Sequence, residues 1–209
     1  MRLVLASHNA KKLAELRALF VPLRFEWLSS AQLGISEPDE PHRTFIENAL
    51  LKARHAARHA GGAAIADDSG LCVDALGGMP GVDSAKYALI DLPSAAREAR
   101  RRAQDAANNA LLLKRLHGAP DRRAHFVSTL VALRGADDPE PLVAVGRWAG
   151  EILDAPRGSG GFGYDPLMFI PSLGKTVAEL DADSKNRFSH RAVAAQRMLQ
   201  AMREAWHLA

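Results

Sequence analysis

The sequence predicts an α/β fold, and three observations carry that reading. Short apolar runs of strand length alternate with longer stretches whose apolar residues recur at helical spacing. Two of the longer stretches open on hydroxyl residues suited to capping, Thr44 and Ser189. The 209 residues, 47% apolar, are enough to bury a sizeable core.

Residues 3–6 read as a buried first strand. The polar loop Ser7-His8-Asn9-Ala10-Lys11-Lys12 follows, then a helix with Leu13, Leu16 and Phe20 on one face. A strand, a polar loop and a helix in that order suit a phosphate. The helix start offers free N–H groups and a positive dipole end. Ser7 and Asn9 add neutral hydrogen-bonding groups and Lys12 a point charge. Capping by Ser7 or Asn9 is compatible with that role.

Residues 25–28 form a second strand, and 36–43 a polar loop holding two prolines. Thr44, with Glu47 three residues on, opens a helix as a capping box. Its apolar face is Phe45, Ala49, Ala53 and Ala56, while Asn48, Lys52, His55 and His59 form another stripe. His55 and His59 have metal-ligand spacing, but without a third ligand nearby they read as two exposed histidines.

Residues 63–71 are the centre of the functional argument. Four small or apolar residues run into Asp67 and Asp68, then Ser69 and Gly70. This reads as a short buried strand delivering two acids to a sheet edge, where Gly70 permits a turn. On a strand the two carboxylates point to opposite faces unless the chain turns there. Such a set suits Mg²⁺, which takes carboxylate and phosphate oxygens. A solvated Asp-Ser-Gly turn is the alternative.

Residues 71–76 read as a further strand in which Cys72 is a buried packing residue, and 77–81 as a tight glycine loop. Residues 93–117 are helical with a break near Asn108-Asn109, and Leu112, Leu113 and Leu116 supply the apolar side. Strands at 124–133 and 142–149 form a hairpin through 135–141. Residues 157–166 then place four glycines around Phe162 and Tyr164. Such a frame exposes an aromatic face to a flat ligand. Phe162 would stack on a base and Asp165 accept a hydrogen bond from it. A strand at 167–170 and a charged, poorly periodic stretch at 175–188 lead to the final helix. Ser189 caps it, and Ala195, Leu199, Met202 and Trp206 form its stripe. His190 and Arg191 in its first turn oppose the helix dipole, which favours a functional role for them. No repeat, low-complexity tract or linker interrupts the chain, so one domain with two lobes, residues 1–209, is expected.

The formal charge is +3 and the pI about 9.2. The densest basic cluster, Arg97, Arg100, Arg101 and Arg102, lacks interleaved aromatics and reads as a solvated helix face, so no nucleic-acid partner is expected. One cysteine excludes an internal disulfide and suggests a reducing compartment. No run approaches the roughly 20 apolar residues that cross a bilayer. A cytoplasmic protein without a membrane partner is expected.

Together these stretches resemble the inosine triphosphate pyrophosphatase family, the non-canonical purine NTP or dITP/XTP pyrophosphatases. The resemblance covers almost the whole chain. Ser7-His8-Asn9-Ala10-Lys11-Lys12 is similar to its S/T-x-N-x-x-K loop, and Thr44-Phe45-Ile46-Glu47-Asn48-Ala49 with Lys52 to its second segment. Ala66-Asp67-Asp68-Ser69-Gly70-Leu71 with the glycine loop at 77–81 is similar to the third. Gly161-Phe162-Gly163-Tyr164-Asp165-Pro166 and Ser189-His190-Arg191 are similar to the last two. Where the family usually reads S-A-R-Y-A-G, this chain has Ser84-Ala85-Lys86-Tyr87-Ala88-Leu89 and then an Ala/Arg-rich helix.

The resemblance implies an elongated mixed central sheet flanked by helices, with the site in a cleft between two lobes, and a homodimer. It implies that the loop from Ser7 to Lys12, with Lys52, holds a triphosphate. Glu40 and Asp68 bind Mg²⁺, with Asp68 also the general base, and Ser69 touches substrate. Phe162, within Phe162-Gly163-Tyr164-Asp165, stacks on the base, while Asp165, Lys185, His190 and Arg191 read its edge. The implied activity is hydrolysis of ITP, dITP and XTP to nucleoside monophosphate and pyrophosphate. A nucleotide sensor on the same scaffold should have lost a carboxylate or phosphate lysine, and all are present.

Overall fold

In the computed structural model, which describes residues 2–23, 25–91 and 96–208, the first strand is β1 (Arg2–Leu5). It leads into α1 (Ala10–Leu19), β2 (Glu26–Ser29) and α2 (Phe45–Ala60). Strand β3 (Ala64–Val73) follows, then α3 (Arg97–Arg115), β4 (Arg123–Leu133) and β5 (Leu142–Ile152). The chain ends with β6 (Met168–Ile170), β7 (Lys175–Thr176), α4 (Ala182–Phe188) and α5 (His190–Trp206). The strands form one seven-stranded sheet in the order β2-β1-β3-β4-β5-β6-β7. β1 is parallel to β2 and β3, whereas β6 is antiparallel to β5 and β7, so the α/β sheet is mixed.

The chain divides into two compact units. The first comprises Met1–Ser69, Val127–Arg147 and Asn186–Ala209. Strand alternation sorts its core into two clusters. Leu3, Leu5, Ile65, Leu130 and Ala132 pack with Leu16 of α1, with Phe20 at its C-cap and with Ala194, Ala195, Met198 and Met202 of α5. The alternate residues Val4, Ala64, Ala66, Val131 and Leu133 pack with Ala49, Ala53, Ala56 and Ala57 of α2. The alanine face of α2 lets helix and sheet approach closely. Thr44 accepts the Glu47 N–H, and the Glu47 carboxylate takes the Thr44 hydroxyl.

The second unit comprises Gly70–Phe126 and Trp148–Lys185. Its core gathers Leu71, Val73, Phe126, Trp148, Leu167 and Met168 around Leu112 of α3 and Leu116 at its C-cap. The loop at 77–81 is as tight as expected, with Gly77, Gly78 and Gly81 all at positive φ.

Several expectations are corrected. Residues 63–71 and 71–76 are not two strands with a turn at Gly70, because β3 runs through it for ten residues. Gly70 weakens the strand pattern without breaking it, and the backbone stays extended through it. β3 lies between β1 and β4 in the strand order, but its pairing with β1 stops at Ile65, so the acids lie beyond the paired part of β1. Ala10, Lys11 and Lys12 form the first turn of α1 rather than loop. α3 passes unbroken through Asn108 and Asn109. Its expected start at 93–95 lies outside the described residues. Cys72 and His55 are half-buried, and β5 extends three residues beyond 149. The stretch 175–188, unassigned from sequence, is ordered by a capping box between Thr176 and Glu179 and by the short helix α4.

Candidate functional site

In the first unit the site grows from the end of β1 and the middle of β3. β1 pairs with β3 only as far as Leu5 and Ile65, so Asp67 and Asp68 lie just past the end of β1. The chain leaving β1 turns at Ser7, whose hydroxyl accepts the Asn9 N–H at 3.1 Å. Asn9 caps α1 by accepting from the N–H groups of Lys11 and Lys12. His8 Nε2 donates to the Ile35 carbonyl at 2.7 Å, and its backbone N–H donates to Glu37. Lys12, one turn into the helix, reaches Asp67 Oδ2 at 3.1 Å. The helix start thus combines a capping side chain, Asn9, with the ammonium of Lys12.

Alternation separates the two acids. Asp67, 3% exposed, accepts the Ser128 hydroxyl on Oδ1 at 2.5 Å and the Ser69 hydroxyl on Oδ2 at 2.9 Å. Arg191 Nε lies 3.6 Å from the same Oδ2, and the guanidinium donates to Ser69 Oγ and Glu15, each at 2.9 Å. Burial alone would raise the Asp67 pKa, but Lys12, Arg191 and the Ser128 hydroxyl overcome it and hold it below the usual range. Burial lowers the Lys12 pKa despite Asp67.

Asp68 faces the other way. Its Oδ1 accepts from Lys52 Nζ at 2.7 Å, and the same ammonium lies 3.3 Å from Glu40 Oε2. Burial pushes the Asp68 pKa up to about 6, with Lys52 opposing and the neighbouring Glu40 adding to the rise. Lys52 is raised, since Asp68 and Glu40 outweigh its own burial. Asp68 Oδ2 is buried with no hydrogen-bond partner. An unpartnered carboxylate oxygen beside a second carboxylate fits a hard cation. Among the described residues no three of His, Cys, Asp and Glu group as metal ligands. A cation on Glu40 and Asp68 would therefore complete its shell with substrate oxygens and water.

The final helix is seated by a glycine. A Cβ at Gly146 of β5 would overlap the His190 carbonyl and the Ala194 N–H, so only glycine lets α5 start there. Ser189 caps α5 through the Ala192 N–H, and His190 and Arg191 are buried in its first turn.

In the second unit Lys185 Nζ pairs with Asp165 Oδ2 at 2.9 Å and sits 4.8 Å from the Phe162 ring centre. Asp165 Oδ2 also accepts the Phe162 N–H at 3.0 Å. The Asp165 carboxylate occupies the space where a side chain at Gly161 would begin, and Gly161 has φ +74. Tyr164 is buried and donates its hydroxyl to the Ser84 carbonyl at 2.9 Å. Predicted residues thus gather into two groups: Lys12, Asp67, Asp68, Lys52, Glu40, Ser69 and Arg191 in the first unit, and Phe162, Asp165 and Lys185 in the second. Ala10 and Lys11 are exposed.

A family model described as the Ham1 family matches residues 3–201. The chain belongs to the Ham1 family. It is 69% identical to a dITP/XTP pyrophosphatase of Methylibium petroleiphilum, with 99% of each chain covered. It is 65% identical to one of Leptothrix cholodnii, with both chains fully covered. Among solved structures, a HAM1 protein from Coxiella burnetii superposes with a TM-score of 0.86 at 39% identity, covering 98% of this chain and 99% of that one. The Staphylococcus aureus Ham1 protein gives 0.82 at 35% identity, covering 98% and 100%.

Sequence reasoning missed three supporting side chains in this Ham1 chain. Ser128 sits in an apolar strand, where one hydroxyl gives no pattern. Asn48 is 1% exposed and holds both backbone groups of His42, two residues beyond Glu40. Its place on the Lys52 stripe was visible, but its partner was not. Glu15 meets Arg191 across 176 positions, beyond any local signal.

Proposed function

We propose that this Ham1-family chain hydrolyses the non-canonical purine nucleoside triphosphates ITP, dITP and XTP to the nucleoside monophosphate and pyrophosphate, cleansing the nucleotide pool. The observation that carries the chemistry is the buried Asp68 carboxylate, with one oxygen on Lys52 and the other open. The substrate class rests on the similarity to the dITP/XTP pyrophosphatases of Methylibium petroleiphilum and Leptothrix cholodnii. Asp68 takes the proton of the attacking water. Lys12 and Lys52 stabilise charge developing on the leaving pyrophosphate, and Ser7, Asn9 and Ser69 orient the phosphates. Mg²⁺, held by Glu40 and Asp68, would neutralise phosphate charge and polarise the reacting phosphorus. Phe162 stacks on the base, and Asp165, Lys185, His190 and Arg191 read its edge.

Lys185 and Arg191 are obligate donors, suited to the keto oxygen at purine position 6. An adenine amino group there leaves them unsatisfied, a mismatch that can reject an analogue by about 10⁴–10⁵-fold. ITP, dITP and XTP should be good substrates, ATP very poor and GTP poor. The reading extends to a cytoplasmic homodimer on the strength of the resemblance. No helix among the described residues is long and apolar enough to cross a membrane. ³¹P NMR of the protein with ITP and Mg²⁺ tests the reaction: inosine monophosphate with pyrophosphate is expected, and inosine diphosphate with orthophosphate would refute it.

A further inference from the structure

The two asparagines at which the sequence suggests a helix break have a different use. Three successive peptide groups of the glycine loop are held by side chains. Asp165 Oδ2 accepts the Phe162 N–H at 3.0 Å. Asp105 Oδ2 accepts the Gly163 N–H at 3.0 Å, and Asn109 Nδ2 donates to the Gly163 carbonyl at 3.0 Å. Asp105 and Asn109 lie one turn apart on α3, so both project from one face toward one residue. Gly163 has φ +62, a conformation costly for other residues, and both its polar backbone groups are thereby fixed.

The same face of α3 holds a second segment. Asn108, 2% exposed, accepts the Ala88 N–H at 2.8 Å and donates to the carbonyls of Ser84 and Ala85. Gln104 donates to the Ala88 carbonyl and to Asn108 Oδ1. Tyr164, next to Gly163, donates to that same Ser84 carbonyl. The polar stripe Gln104, Asp105, Asn108 and Asn109 therefore ties the residues after Phe162 to α3 both directly and through the 84–88 segment.

We infer that Asp105 and Asn109 are positioning residues for base recognition: they clamp the Gly163 peptide and so fix the face that the Phe162 ring presents to the purine. This deepens the proposed function and rests on its assignment of Phe162 as the stacking ring. A ring on an unclamped glycine loop samples many orientations, and stacking must then order the loop at the substrate's expense. With the clamp, that ordering is complete before binding. The role is blind to the purine edge, because stacking is. Its loss should raise KM for every purine alike and leave kcat in place.

The test measures steady-state kinetics with ITP and inhibition by pyrophosphate, which carries no base, for wild type, Asp105→Ala, Asn109→Ala and Phe162→Ala. Loss of either clamp hydrogen bond should raise KM about tenfold with kcat within about twofold. The pyrophosphate inhibition constant should not move. Asp105→Asn retains an acceptor for the Gly163 N–H and should restore the wild-type KM, whereas Asn109→Asp, which has no donor, should not. In a Phe162→Ala background neither clamp substitution should add to the effect. A raised KM in Phe162→Ala with wild-type KM in both clamp variants would overturn the inference and leave the stacking reading standing. An unchanged KM in Phe162→Ala would overturn the stacking reading itself. Parallel losses in kcat and in pyrophosphate affinity would mark the clamp as general scaffolding and refute a role in recognition.

Discussion

Asp67 and Asp68 are chain neighbours of one residue type on one strand, yet the two faces of β3 give them opposite characters. Asp67 meets two hydroxyls, an ammonium and a guanidinium, which hold its pKa low. Asp68 meets one ammonium through one oxygen, shares it with Glu40 and has its pKa raised to about 6. The contrast separates a carboxylate saturated with partners from one with an unpartnered oxygen. Saturating the first makes it an anchor, while leaving an oxygen of the second unpartnered keeps it available for a proton or a cation.

Asp68→Asn should give the largest effect on activity. The amide keeps the shape but cannot act as a base, a loss of about 10²–10⁴-fold before any lost cation contact is added. Asp67→Asn should reduce kcat/KM far less. Equal, small losses in both variants would erase the distinction drawn between the faces.

Stability should reverse that ranking. Asp67→Asn leaves Lys12 and Arg191 buried beside a neutral group and should cost about 3 kcal/mol. Asp68→Asn removes a carboxylate whose burial disfavours its charged form. A rise from 3.8 to about 6 corresponds to roughly 2–3 kcal/mol of strain at neutral pH, which the amide relieves. The sign can be checked with pH. The folded state binds the Asp68 proton more tightly than the unfolded chain, so acidification from about pH 6 toward 4 stabilises the wild type at this residue. The Tm advantage of Asp68→Asn at pH 7 should therefore shrink toward pH 4. Asp67 behaves in the opposite sense: its contribution is complete above the ordinary carboxylate pKa and is lost as pH falls further. A constant Tm difference between the Asp68 variant and wild type across this range would contradict the raised pKa.

The same pKa sets the activity profile. Asp68 must be ionised to accept a proton, so kcat/KM should fall about tenfold per unit below pH 6 and level off above it. Protons and a cation compete for this carboxylate, so raising Mg²⁺ should move the inflection to lower pH. An inflection insensitive to Mg²⁺ would separate the base from the cation ligand.

The legible parts of this fold are those that local pattern decides. β1, the alanine face of α2, the caps at Thr44 and Ser189 and the stripe of α5 all follow from periodicity and capping chemistry. The divergence of Asp67 and Asp68 follows from strand alternation once β3 continues through Gly70. What was illegible depends on pairing across the chain. Gly70 suggests a turn, yet β3 continues through it. Asn108 and Asn109 suggest a helix break until distant carbonyls satisfy them. Lys175 to Phe188 shows no apolar period because its order comes from caps and one buried ion pair, Lys185 with Asp165. The motifs marked the candidate site residues, while two of their supports, Ser128 and Glu15, carry no motif, and the partner of Asn48 was not visible from its place in one.

Ser128→Ala should give the smallest effect, and it tests the Asp67 face most finely. Ser128 is fully buried in β4 and donates its hydroxyl to Asp67 Oδ1. Its removal costs one hydrogen bond to a charged acceptor and leaves an oxygen of a buried carboxylate short of a donor, together about 1.5–3 kcal/mol. The other oxygen keeps Ser69, Lys12 and Arg191, so the charge remains compensated and the fold should survive. Because the lost bond favours the ionised form, the Asp67 pKa should rise, and the variant should unfold at higher pH on acidification than the wild type. Activity at neutral pH should change little, since Ser128 makes no contact with Asp68. Chemical denaturation at pH 7 and pH 4 would read both effects. In an Asp67→Ala background the substitution should become nearly neutral, because the acceptor is gone. A cost that persists there would assign the Ser128 hydroxyl to general packing, and a collapse of activity comparable to Asp68→Asn would place it on the reactive face.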